Sequence, residues 1–243
     1  MPTINTSVVI PVFNEGKLIV ETLKNIHYSL VSNYEILICY DFDEDDTLKE
    51  INSSKILNNQ KRYIKFVKNN IGGPHAAVMT GLRTSLGIYV IVIPADDSIN
   101  SKNVHKLIEL ALSGYDIVCP SRFIKHGRMK GAPILKAIIN RFVNYTLYLS
   151  GIPSSDATNG FRLFSKKVLN DIEIRSKYGF TYSLEYLIKA YDKNYKIEEY
   201  PSVWIERNIG KSRFTLTKWW KAYLKLYMYG IYIGLKKRLA FGK

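Results

Sequence analysis

The run Gly87-Ile88-Tyr89-Val90-Ile91-Val92-Ile93-Pro94-Ala95-Asp96-Asp97 decides how the rest of the 243-residue sequence is read. Residues 87–93 are almost continuously apolar, whereas a strand with one wet face would alternate. That pattern predicts a central strand of a parallel sheet, covered on both faces. It stops at Pro94 and delivers Asp96 and Asp97 to the carboxyl end of the strand, where ligands bind in open α/β sheets. Adjacent carboxylates there can hold a hard cation such as Mg2+ or Mn2+, which in turn holds a diphosphate. A solvated turn or a helix cap uses the same doublet.

Outward from this strand the pattern repeats. Thr6–Val12, Tyr34–Tyr40, Tyr63–Lys68 and Asp116–Pro120 read as strands. Lys17–Ser29, Asp46–Asn58, His75–Leu86 and Ser101–Ser113 read as the helices between them. Short strands separated by helices of this length mean βαβ units and an α/β fold with a mostly parallel sheet. The second half is less regular: a long apolar helix over Ile134–Leu149, a polar loop at Ser154–Gly160, a helix over Phe180–Tyr191, a strand over Lys196–Trp204 and a helix over Thr215–Arg238.

Composition narrows the class. Hydrophobic residues make up 47% of the chain, too many for disorder. The only cysteines, Cys39 and Cys119, lie in separate apolar runs, which excludes a disulfide scaffold and a cysteine-rich zinc module. The amino terminus lacks a basic stretch before a long apolar run, so a cytoplasmic location is expected. The net charge of +14 is unevenly placed: residues 1–120 are net −2 and residues 121–243 net +16. Residues 207–243 carry ten basic side chains and no acidic one. Such a field attracts nucleic acid, an anionic membrane or a phosphorylated substrate.

Two further clusters can meet a ligand. Asp41-Phe42-Asp43-Glu44-Asp45-Asp46 places five carboxylates in six positions. One at the strand end can hydrogen-bond a nucleoside while Asp45 or Asp46 caps the next helix. An independent divalent site is the rival. Gly72-Gly73-Pro74 lets backbone approach a ligand closely, without the spacing of a Walker or dinucleotide motif.

In order, PVFNE (11–15), Asp41 through Thr47, GGPHAAVMTGL (72–82), PADD (94–97), SRF (121–123), SSDATNGFRLF (154–164) and GKSRF (210–214) resemble the family 2 glycosyltransferases. Within them the chain looks like the dolichyl- or polyprenyl-phosphate sugar transferase branch. The resemblance implies a GT-A fold over residues 1–214, a nucleotide-sugar donor and Mg2+ or Mn2+. It places Pro11, Asn14, Glu15 and Asp41 in the donor pocket with Gly73, and Asp96, helped by Asp97, on the metal. Arg122 matches an arginine facing the acceptor phosphate. Asp156 and Arg162 belong to the loop walling the reaction centre, and Lys211 and Arg213 to a basic segment closing over phosphates. One departure is plain: the usual D-x-D would put Asp at position 94, where this chain has Pro94.

Physical chemistry supports a transfer between two anions. A departing nucleoside diphosphate needs a cation or fixed Arg/Lys donors. A phosphate acceptor, already ionised near neutrality, needs positive charge rather than a strong base. On a helical wheel of residues 215–238, Lys218, Lys221, Lys225 and Lys236 gather on one side, with Trp220, Tyr223, Tyr227 and Ile231 opposite. That pattern predicts an interfacial helix in segment 215–243, peripheral to an anionic membrane, unless the helix simply packs on the domain. The longest uncharged run there, Leu226–Leu235, is too short to cross a bilayer. Ile134–Leu149 is a second candidate for meeting lipid.

The leading expectation is therefore sugar transfer from a nucleotide sugar to a polyprenyl phosphate or other lipid-linked acceptor at the cytoplasmic membrane face, with a membrane-protein partner as a further class of contact. The alternatives are a saccharide hydroxyl acceptor with Asp156 as general base, and a catalytically impaired nucleotide-sugar-binding relative. Nucleic acid is not an expected partner, because no recognised nucleic-acid module accompanies the charge.

Overall fold

The computed structural model describes residues 4–30, 33–206 and 216–241. A seven-stranded sheet forms its centre. The strands are β1 (Thr6–Pro11), β2 (Tyr34–Tyr40), β3 (Ile64–Lys68), β4 (Tyr89–Val92), β5 (Ile117–Ser121), β7 (Arg162–Ser165) and β8 (Ile197–Pro201), in the spatial order β3-β2-β1-β4-β7-β5-β8. β6 (Arg128–Lys130) and β9 (Val203–Ile205) pair in a separate two-stranded ribbon. The helices are α1 (Leu18–Ser29), α2 (Asp46–Ser53), α3 (Pro74–Thr84), α4 (Val104–Leu112), α5 (Ile134–Ser150), α6 (Lys166–Asp171), α7 (Thr181–Asp192) and α8 (Leu216–Phe241).

β4 is buried on both faces: Val90 packs in one core and Ile91 in the other. One layer contains α1 and α4, the other α3 and α7. The parallel expectation holds for β1 with β2 and β4, β2 with β3, and β5 with β8. β7 runs antiparallel to both of its neighbours, β4 and β5. At four residues it is too short to show a period of its own.

Several boundaries move for local reasons. α2 is shorter than the predicted Asp46–Asn58. Ser101–Ser113 begins instead as a 3-10 turn at Asn100–Asn103 that leads into α4. Lys196–Trp204 divides at Ser202, whose N–H donates to Ser121 O at 2.9 Å while its carbonyl accepts from Arg128 N at 2.9 Å. One residue thus hands the chain from the main sheet to the β6–β9 ribbon.

α8 packs on α5 and α7. Leu226, Tyr227, Tyr229 and Ile231 meet the core, and Tyr227 Oη donates to Thr146 Oγ1 at 3.0 Å. The aromatic side drawn on the helical wheel therefore faces largely inward; Trp220 alone of that set is half exposed.

Candidate active site

The carboxyl ends of β1, β2 and β4 lie together, because these strands are parallel and adjacent. The connection after β1 leads to β2 on one side, whereas the connection after β3 returns past β1 to β4 on the other, and this switch opens a crevice at the edge. The structure brings Pro11, Asn14, Glu15, Asp41, Gly73 and Asp96 to that edge.

Hydrogen bonds hold the loop after β1 against the start of α2. Asn14 takes positive φ (51°), as an asparagine tolerates. Its N–H donates to Asp45 Oδ2 at 3.0 Å, Glu15 N–H to Thr47 Oγ1 at 2.9 Å and Gly16 N–H to Asp46 Oδ1 at 3.0 Å. Asp45 also caps α2 by accepting from Thr47 N at 2.9 Å. Two of the five clustered carboxylates thus serve the loop and the helix cap.

Asp41 fixes the glycine loop. One carboxylate oxygen accepts from Asn69 Nδ2 at 2.8 Å and the other from Gly73 N–H at 2.8 Å. Gly73 stands at φ 89°, ψ 158°, a conformation that side chains resist, and a Cβ there would meet nothing within 4 Å. The loop is accordingly open at Gly73. Asn69 was missed in the sequence, although a polar doublet closing a strand was the available signal.

The PADD turn assigns its two acids differently. Asp97, expected beside Asp96 on a cation, has both oxygens accepting from Asn100 Nδ2 at 2.8 Å, and Oδ1 also accepts from Asn100 N–H at 3.0 Å. Burial pushes its carboxyl up to about 6, reinforced by the Asp96 charge and opposed by the Asn100 donors. Pro94 offers no ligand. Among the described residues no group of three or more His, Cys, Asp or Glu side chains is arranged for a metal ion. Of the two acids Asp96, at the carboxyl end of β4, is the one that would hold a hard cation, a group that commonly binds through one or two carboxylates with phosphate oxygens and water.

Across the crevice Arg122 follows β5. Its Nε and Nη2 donate to the two carboxylate oxygens of Asp156, both at 2.6 Å, and its backbone N–H donates to the same group at 2.9 Å. Asp156 is wholly buried and Arg122 nearly so. Nη2 also reaches Asn140 Oδ1 of α5 at 3.3 Å. With both oxygens taken by a guanidinium fork, Asp156 is arranged to orient Arg122 rather than to accept a proton. The general-base expectation is corrected on that ground.

Arg162, expected in the loop walling the reaction centre, lies instead at the start of β7 with no exposed surface. Its guanidinium donates to the carbonyls of Ala157 at 3.3 Å and Asn159 at 3.2 Å, and to Cys119 Sγ at 3.2 Å. It holds the Asp156–Asn159 loop from beneath. Glu199, missed in the sequence, grips the other end by accepting from Ser154 Oγ, Ser155 N–H and Ser155 Oγ at 2.8–3.1 Å.

A cavity of about 430 Å³ opens beside Arg122, between β6 and α5. Arg128, Lys130 and Arg141 supply charge to its wall, with Phe123, Met129 and Ile138 as the apolar part. Two cations approach the Phe123 ring, Arg122 at 5.3 Å and Arg141 at 5.5 Å from its centroid. Lys136 turns away to Glu206 at 3.5 Å and the Trp204 ring at 5.2 Å. Lys211 and Arg213 lie outside the described residues.

Residues 7–173 match the family model Glycosyl transferase family 2. An uncharacterized protein of Methanocaldococcus jannaschii is 31% identical over 218 residues, covering 86% of this chain and 84% of that protein. Polyprenol monophosphomannose synthase of Mycolicibacterium smegmatis is 23% identical over 236 residues, covering 95% and 88%. Glucosyl-3-phosphoglycerate synthase of Mycobacterium tuberculosis, solved with Mn2+, UDP-glucose and phosphoglyceric acid, superposes with a TM-score of 0.68 at 15% identity, over 95% of this chain and 79% of that one. The fold is GT-A, and the chain belongs to glycosyl transferase family 2, as a nucleotide-sugar-dependent glycosyltransferase.

Proposed function

We propose that the enzyme transfers a sugar from a nucleotide sugar to a polyprenyl phosphate at a membrane surface, probing two anions from opposite sides of one crevice. The observation that carries this reading is the cavity beside Arg122, which pairs three further cations with an apolar wall. A saccharide acceptor has no use for that charge, and Asp156 is spent on Arg122. The 23% identity to a polyprenol monophosphomannose synthase supports the same acceptor class. The divide between a catalytic portion, 1–214, and a membrane-proximal portion, 215–243, is part of this proposal.

In this mechanism Pro11, Asn14, Glu15 and Asp41 form the nucleoside side of the crevice, and the open backbone at Gly73 admits the donor. Asp96 would hold Mg2+ or Mn2+, which supplies charge to the leaving diphosphate when bound. Arg122, oriented by Asp156, faces the acceptor phosphate, and an acceptor oxygen attacks the sugar carbon as the diphosphate departs. Inversion at that carbon follows from a single displacement. Lys211 and Arg213 are proposed to add charge over the phosphates.

The test is transfer from a panel of nucleotide sugars, with and without polyprenyl phosphate. Sugar appearing on the lipid phosphate supports the reading. Transfer to a saccharide hydroxyl with no lipid product overturns it.

A further inference from the structure

We propose that α5, with the outward side of α8, is a preformed docking face for an anionic lipid bilayer. This deepens the proposed function, and rests on it only where the docked cavity is said to receive a lipid phosphate.

α5 reverses the usual order of an amphipathic helix. Of its 17 residues only Asn144, Leu147 and Ser150 are buried. Its large apolar side chains stand outside instead: Ile134 is 79% exposed, Leu135 70% and Phe142 63%, with Tyr145 and Leu149 continuing the row. Scattered exposed apolar residues are ordinary, but a row on one helix marks an interaction surface. α8 adds a second row at spacings of three and four, namely Trp220, Leu224, Met228, Tyr232, Leu235 and Leu239. This row shares only Trp220 with the side predicted by the helical wheel, whose tyrosines are used inward.

The two helices are fixed to one another. A Cβ on Gly234 would lie 2.4 Å from Ser150 Oγ, and one on Gly230 2.8 Å from Leu147. Arg238 Nη1 donates to Leu149 O at 2.7 Å. The surface is therefore built before any partner arrives.

Charge selects the occupant. Neither 134–150 nor 216–241 contains an acidic residue, while Arg141, Lys221 and Lys225 stand exposed along them. A second copy of the chain would oppose like charges, which is unfavourable. An anionic membrane accepts both the apolar rows and the cations. Ile138 and Arg141 of α5 also line the cavity beside Arg122. A docked α5 therefore sets the cavity mouth at the headgroup layer.

The experiment is flotation of the full chain with phosphatidylcholine vesicles, with or without phosphatidylglycerol, at about 50 and about 500 mM NaCl, where the Debye length is about 14 and about 4 Å. Wild type should float with anionic vesicles at low salt. Leu135→Glu/Phe142→Glu and, separately, Lys221→Glu/Lys225→Glu should each weaken partition at least tenfold by order of magnitude. Amide exchange on the wild type guards against a misfolded variant, since residues 134–149 should gain protection on vesicles. Equal flotation of wild type and variants, no flotation of wild type, or unprotected 134–149 overturns the docking face. So does a vesicle-free dimer dissolved by Leu135→Glu/Phe142→Glu, which assigns the face to a second copy. Docking without transfer to lipid phosphate would instead remove the proposed function and leave the docking face standing.

Discussion

Asp156 and Arg122 form a buried ion pair in which both carboxylate oxygens are committed to the guanidinium fork. Removing one partner strands the other charge away from water, so Arg122→Met should lower unfolding stability by about 3–5 kcal/mol and abolish transfer. Arg122→Lys keeps the charge but lacks the fork, and should recover little of either. Denaturant titration beside activity measures both. Asp96→Asn should lower transfer by about 10²–10³-fold while leaving the melting temperature near wild type. Calorimetry gives an independent readout: Mg2+ should strengthen nucleoside-diphosphate binding to wild type and not to Asp96→Asn. Pro94→Asp should increase that strengthening. His75 supplies a pH test away from these groups. Burial, aided by Arg83 and opposed by Glu185, brings its imidazole down to about 4 from 6.5. The unfolded chain then binds the proton first, so His75's contribution is present above pH 6.5 and lost as pH falls toward 4. Between pH 7 and 5 wild type should lose about 2 kcal/mol more stability than His75→Gln, measured by urea unfolding.

Among elements, the connection between the PADD turn and the β6–β9 ribbon passes through one amide. Asn100 Nδ2 donates to Val203 O at 2.8 Å, its Oδ1 accepts from Val203 N–H at 3.0 Å, and the same side chain holds Asp97. Asn100→Leu leaves these partners unsatisfied, costing about 1–3 kcal/mol. Because β6 carries Arg128 and Lys130, the variant should raise KM for the acceptor more than for the donor; equal changes would mark a structural role alone. Asn100 was invisible in the sequence because its partner lies 103 positions away. The strands β1, β2 and β4 were legible, since their apolar runs are complete without knowing what pairs with them. β7 was not, because only its place between β4 and β5 makes four residues a strand. The PVFNE turn, Asp41, Gly73 and Arg122 were legible as motifs, but the arginine of DATNGFRLF gave no sign of pointing inward. For α8 the helical period was readable, yet the inward side was decided by Gly230, Gly234 and the hydroxyl partners of its tyrosines. Gly234→Val should part α8 from α5 and cost about 1–3 kcal/mol.

Taken as a whole, the molecule divides its labour along the chain. The first half, net −2, builds the donor edge; the second half, net +16, supplies the cavity cations and the docking helices. No helix among the described residues is long and apolar enough to cross a membrane. The sheet records the division in its order of assembly. β1 through β4 find neighbours among themselves, so they can pair as they leave the ribosome. β5, complete at residue 121, has as sheet partners only β7 and β8, at 162–165 and 197–201. An apolar strand must therefore wait for some forty further residues before its first edge is covered. During synthesis that interval is the period of greatest exposure to aggregation and chaperone capture, and nascent chains halted between residues 121 and 165 should bind chaperones more strongly than those halted past 201.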